Sequence, residues 1–238
     1  MQFNNPYRWL LVASLAMLGA CAWPPPAEPE RDVGIPVVVP PMHPTLQPAT
    51  VYRIDPEAST LRILVYRGGT LARLGHNHVI SSRSVTGSMW RGGSLHDSGF
   101  AINVPVNALI VDDNDARAAE GEDFPLNVTE DAKQGTKTNM LRETLLDGAR
   151  YPEVSIQSVS LQGAANTPQV LAALRIKDQT RQIAMPVTLQ SANGSLRVKG
   201  EFEMKQSDFG ITPLSVALGA LLVLDTIKIK FELVAKAD

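Results

Sequence analysis

The feature that most constrains this chain is a set of three runs near its C-terminus in which apolar and polar residues alternate with a period of two. Ile183, Met185, Val187 and Leu189 are interleaved with Gln182, Ala184, Pro186, Thr188 and Gln190. Leu196, Val198, Phe202 and Met204 are interleaved with Arg197, Lys199, Glu201, Glu203 and Lys205, and Ile227, Ile229, Phe231 and Leu233 with Lys228, Lys230 and Glu232. Successive side chains of a strand point to opposite faces, so each run offers one apolar face and one wetted face. Asn193-Gly194, between the first two runs, supplies the residues that a type I′ turn requires, which makes that pair an antiparallel hairpin.

Weaker strand signals lie at residues 61–66, 78–90, 100–111, 154–161 and 171–177. Together with the three strong runs they amount to roughly eight strands, enough to close a barrel. The expected fold class is therefore all-β, an antiparallel eight-stranded barrel over residues 51–238. In the fourth weak segment the apolar phase moves from Val154 and Ile156 to Val159 and Leu161, which predicts a β-bulge or a bend. Alternation stops between Asp112 and Pro152. There residues 115–120 and 138–147 have helical composition, with Met140, Leu141, Thr144 and Leu145 on one face and Gly148 in the place of a left-handed cap. These short helices are expected near the barrel mouth, with a further short turn at 213–218 begun by Pro213.

The first 50 residues read differently. An apolar stretch from Tyr7 to Ala20, too short to span a bilayer as a stable helix, reads as a signal peptide over residues 1–20. It ends in Leu18-Gly19-Ala20-Cys21, which resembles a bacterial lipobox and makes Cys21 the expected lipidation site. Ala22 in the next position favours delivery to the outer membrane, facing the periplasm. Nine of the 17 prolines fall between Cys21 and Thr50. Each fixes φ and removes a donor, so residues 21–50 form an extended, semi-rigid tether, with His43 solvated inside it.

Composition narrows the function. With 22 Lys+Arg against 24 Asp+Glu the formal charge is -2, which gives no electrostatic footprint for nucleic acid. The single cysteine excludes an intrachain disulfide and a Cys-based zinc cage. Asp208-Phe209-Gly210 lacks the companions of a kinase site. It reads instead as a turn in which Asp208 bonds local backbone and Phe209 plugs the barrel end. The acidic run Asp112, Asp113, Asp115, Glu120, Glu122 and Asp123 lacks the spacing of a calcium loop and reads as a solvated helix start. No Ser-His-Asp arrangement is apparent, and the expectation is a binding protein, not an enzyme.

The inward positions form the candidate ligand-binding surface: Ile63, Val65, Ile102, Val104, Ile156, Met185, Val187, Val198, Phe202, Met204, Phe209, Ile229 and Phe231, with Ile183 on the same face. Side chains alone can fill an eight-stranded barrel. Equally, adaptable methionines and an aromatic content of only 5% leave room for a flexible guest. A second candidate is Gly75-His76-Asn77-His78. Residues two apart on a strand share a face, so His76 and His78 could converge on one metal ion, with His96 as a possible third ligand.

Three blocks carry a resemblance to a known family: Tyr52-Arg53-Ile54-Asp55-Pro56-Glu57-Ala58-Ser59; Met140-Leu141 with Tyr151-Pro152-Glu153; and Lys205-Gln206-Ser207-Asp208-Phe209-Gly210-Ile211-Thr212. In this order, from Val51 to Asp238, the chain resembles YceI-like proteins. The resemblance implies an extended lipocalin-like barrel that encloses an apolar, lipid-like ligand, a long isoprenoid chain in the family at large, and a periplasmic or secreted location. The segment from Gly68 to Ile80, which contains Gly75-His76-Asn77-His78, stands in place of the family's more usual stretch after the first strand. Relatives that adjoin cytochromes give the alternative of a metal- or haem-associated envelope protein using His76 and His78. The expected partners are then an apolar small molecule and a membrane reached through the lipid anchor.

Overall fold

The computed structural model describes residues 49–238. The expected signal peptide, Cys21, the tether up to residue 48 and His43 lie outside the described residues. In chain order the elements are β1 (Thr50–Ile54), β2 (Thr60–Val65), β3 (Arg67–Gly68), β4 (His78–Ser82), β5 (Thr86–Arg91), β6 (Gly99–Pro105), β7 (Ile110–Val111), α1 (Asn114–Ala118) and α2 (Glu130–Met140). There follow β8 (Glu153–Ala164), β9 (Thr167–Ile176), β10 (Gln179–Ala192), β11 (Ser195–Lys205), β12 (Ser215–Val216), β13 (Leu221–Val223) and β14 (Thr226–Ala237).

Eight strands form a closed antiparallel ring in the order β1-β5-β6-β8-β9-β10-β11-β14. The ring shuts where β14 pairs back onto β1, through Tyr52↔Ala237 and Ile54↔Ala235. Closure leaves the ring without a free edge. The long β14 also pairs with β2, from Lys228↔Leu64 to Glu232↔Thr60. β1 and β2 are thus two halves of one wall strand, broken at Asp55–Ser59. Sequence explains the break: the Asp55 carboxylate accepts from the N–H groups of Glu57 and Ala58 at 3.2 Å, a local turn that competes with the ladder. Ser59 Oγ then donates to the Asp55 carbonyl at 2.6 Å and accepts from Val234 N–H at 3.0 Å, which ties the corner to β14. β4 and β5 repeat the division, pairing with β2 and β1 respectively.

The strong runs are the strands β10, β11 and β14. Asn193 and Gly194 take φ of 49° and 71°, the left-handed pair that a type I′ turn demands. Gly200 interrupts the inward series of β11 for a steric reason: a Cβ there would stand 2.7 Å from Cζ of Phe231, directly across the ladder. The expected irregularity in β8 is a register shift between Ser158 and Ser160. On the outer face Arg197 pairs with Glu232, and Lys228 with Glu201.

Three local expectations are corrected. The second helix is Glu130–Met140, not 138–147; Thr129 caps it, its Oγ1 accepting from Ala132 N–H at 3.3 Å, and Leu141 onward forms turns. The left-handed residue is Asp147 (φ 48°), not Gly148, which is small because a Cβ would meet Leu141 Cδ2 at 2.9 Å and Asn107 Oδ1 at 3.0 Å. The turn expected at 213–218 is instead the β12–β13 hairpin, with a 3₁₀ turn at Ala217–Gly219. β13 also pairs with β3, making a small separate sheet.

Residues 112–126 fold over the outside of β2 and β4. Phe124 packs on Leu64 and Val79 and meets Tyr66 edge-on at a centroid distance of 5.5 Å. Val79 therefore lies buried on the outer face, where a lone barrel strand would be wet.

Candidate ligand cavity and the histidine pair on its wall

Inward residues of β2, β4, β5, β6, β8, β9, β10, β11 and β14 surround a cavity of about 460 Å³. At one end it is bordered by the β5–β6 loop, Arg91 to Leu95, and at the other by Thr136, Asn139 and Met140 at the end of α2. The wall between is apolar. Of the sequence-predicted lining, Ile63, Val65, Ile102, Val104, Ile156, Met185, Val187, Val198, Phe202, Met204, Ile229 and Phe231 all border the cavity. Phe209 does not: it is buried among Leu174, Ile176, Met204 and Ile211, part of the packed core beside the lumen. Ile183 likewise packs in the core without bordering the cavity.

Sequence reading missed Leu61, Ile80, Met89, Leu145, Leu146 and Ile227, which also line it. Leu61 and Ile227 were within reach of that reading, since they continue the alternations of Ile63 and Val65 and of Ile229 and Phe231; Leu145 was assigned to a helical face that the structure replaces with turns, and Leu146 carries no periodic signal. Gly210 does turn the chain (φ 68°), but Asp208 is exposed, and it is Asp225 that accepts from Ser207 N–H at 2.8 Å and Ser207 Oγ at 2.5 Å.

One polar group in the wall is His78, the first residue of β4. Its Nδ1 lies 2.7 Å from Oδ2 of Asp112. His76 precedes the strand, so the pair is not the same-face strand pair predicted. The two imidazoles nevertheless meet edge-on, with ring centroids 4.5 Å apart. His96 sits in the exposed β5–β6 loop and is no part of this cluster. The third member is Asp112: one ligand atom from each of His76, His78 and Asp112 lies within 4.8 Å of the others.

Asp112 corrects the reading of its acidic run, because its side chain is wholly buried, with φ at 54°. Its Oδ1 accepts from Val79 N–H at 2.9 Å and from the Arg117 guanidinium, which is also fully buried. Arg117 donates further to the carbonyls of Pro125 (2.8 Å) and Asn77 (2.7 Å). Burial alone would raise the Asp112 pKa, but the hydrogen bonds from His78, Val79 and Arg117, with the charge of His78, outweigh it and hold the carboxyl below its ordinary range. Glu120 is buried too, gripped by Arg62 and Lys230 at 2.6 Å each, which likewise overcome desolvation and lower its pKa. Burial, followed by the nearby His78, pushes the His76 pKa down. Asp113 and Asp115 do behave as a helix start: Asp113 caps α1, accepting from Ala116 N–H at 3.1 Å, and Asp115 is exposed in its first turn.

Fold and lumen together define the class: a closed antiparallel barrel of the lipocalin type, built around an internal apolar space. The chain belongs to the family defined by the YceI-like domain, whose model matches residues 52–235. Among solved structures it is similar to Burkholderia cenocepacia BcnA, with a TM-score of 0.58 and 16% identity over 77% of this chain and 99% of that one. A Campylobacter jejuni YCEI protein aligns with a TM-score of 0.45 and 9% identity, over 67% of this chain and 84% of that one. No curated protein matches the chain in sequence.

Proposed function

We propose that this protein binds and carries an apolar, lipid-like molecule, of the isoprenoid class, along the axis of its barrel. The observation that carries this reading is the internal apolar space of about 460 Å³, within the span of about 300–1,000 Å³ usual for small-molecule sites. Energetics supports it. Residual cavity in a core costs about 24 cal/mol per Å³, so a dry hole of this size would cost roughly 10 kcal/mol, comparable to a whole domain's stability. An occupant that replaces the missing dispersion contacts removes most of that cost. The wall contributes shape and dryness, so binding is its work, not catalysis. The lipobox at Cys21 and the proline-rich tether support an address at the outer membrane, facing the periplasm, from which a lipid-like guest could be exchanged.

Organic extraction of the purified full chain, followed by mass spectrometry, tests the proposal. The expected result is a long-chain lipid released in near-stoichiometric amount. Protein that releases nothing, and that takes up no long-chain lipid or fluorescent fatty probe when one is offered, contradicts it.

A further inference from the structure

We propose that His76 and His78 bind a single borderline divalent transition-metal ion, such as zinc or copper(II), at the lumen wall, with Asp112 positioning His78. This goes beyond the carrier reading and does not depend on it.

Three observations converge. First, Nε2 of His76 is buried and meets no hydrogen-bond partner among the described residues. A buried polar atom left unpaired costs about 1–3 kcal/mol, and a neutral imidazole nitrogen is a good metal ligand. Second, Asp112 meets His78 at Nδ1. An ionised carboxylate accepts there, which fixes the tautomer with the proton on Nδ1 and leaves the Nε2 lone pair available. This carboxylate–histidine arrangement is the usual support of a metal-bound imidazole. Third, the two imidazole rings lie side by side with centroids 4.5 Å apart, and one ligand atom from each of His76, His78 and Asp112 lies within 4.8 Å of the others. A tetrahedral ion with bonds near 2.0–2.1 Å needs nitrogens roughly 3.4 Å apart.

Two imidazoles select zinc, copper or nickel over calcium or magnesium, which prefer oxygen cages. The charge balance sets the strength. Arg117 already neutralises Asp112, so the ion gains no net countercharge and binds more weakly than in a closed four-ligand site. Because His78 borders the cavity, the remaining coordination positions are open, the pattern of a site that exchanges a ligand.

The test uses the full chain carrying no histidine tag, stripped with a chelator and titrated with Zn²⁺ or Cu²⁺. Expected is one ion per chain and, with Cu²⁺, an electron paramagnetic resonance spectrum showing nitrogen coupling. H76Q removes a donor that makes no hydrogen bond, so it should fold as wild type by near-ultraviolet circular dichroism, lose stoichiometric binding and retain any extractable lipid. D112N should weaken binding by about 10- to 100-fold. H43Q and H96Q should bind as wild type. No stoichiometric binding by wild type, or undiminished binding by folded H76Q and by an H76Q/H78Q double variant, overturns the proposal.

Discussion

The two faces of β4 differ sharply, and the difference shows what each side of the barrel wall is for. Inward, His78 and Ile80 border open space. Outward, Val79 lies under Phe124, and just beside it Asp112, Arg117 and Asn77 form a dense buried polar network. Elsewhere on the barrel, as at Arg197 and Glu232, the outward face is simply solvated. The lumen side keeps looseness where a guest would sit. Across the same strand the segment 112–126 spends buried charge to hold that wall rigid. Rigidity on one face lets the other stay unfilled without collapsing.

Four experiments would break or sharpen this contrast. The largest effect is expected for Arg117→Met, which leaves the Asp112 carboxylate buried without its cation. The loss should be about 3–5 kcal/mol, seen as a fall in Tm of roughly 10 °C. Next, Phe124→Ala and Phe202→Ala remove the same ring from the packed outer face and from the lumen wall. The first should cost about 3–5 kcal/mol in urea unfolding, the second roughly half of that, since Phe202 already borders free volume and leaves little new cavity. Equal losses would mean that the lumen is as tightly packed as the outside.

The third experiment concerns acid. The Glu120 pKa is lowered in the folded protein by Lys230 and Arg62 against the opposing effect of burial. A depressed carboxylate stabilises fully above its unfolded pKa near 4.3, and that contribution is lost as pH falls through the lower folded value. Wild type should therefore lose its advantage over E120Q when the urea midpoint is followed from pH 6 down to pH 3. The smallest effect belongs to Glu232→Gln on the solvated face, expected to cost at most about 1 kcal/mol.

How much was legible in the sequence follows the same division. The walls were readable because a solvated face and an apolar face alternate, as in β10, β11 and β14. The lumen side was readable for the same reason, down to Met185, Phe202 and Phe231. Phe209 was misplaced because burial in a core and exposure to a cavity leave the same mark on a sequence. α2 was set too late because Glu130–Met140 is polar on nearly every side, so the apolar residues just beyond it attracted the prediction. Asp112 was invisible: an acid within an acidic run carries no local sign that a left-handed backbone will turn it inward onto His78 and Val79, more than 30 residues upstream. The histidine pair was found from its spacing, but its third member comes from 34 residues downstream of His78 and needed the fold.

The central claim is that the lumen bounded by Met185, Phe202 and Phe231 is a place for a guest. A crystal structure of the full chain as purified tests it most directly. The account predicts elongated electron density along the barrel axis between these side chains, with the wall strands in the pairings described. Side chains folded inward to fill that space, with no room left along the axis, would contradict it.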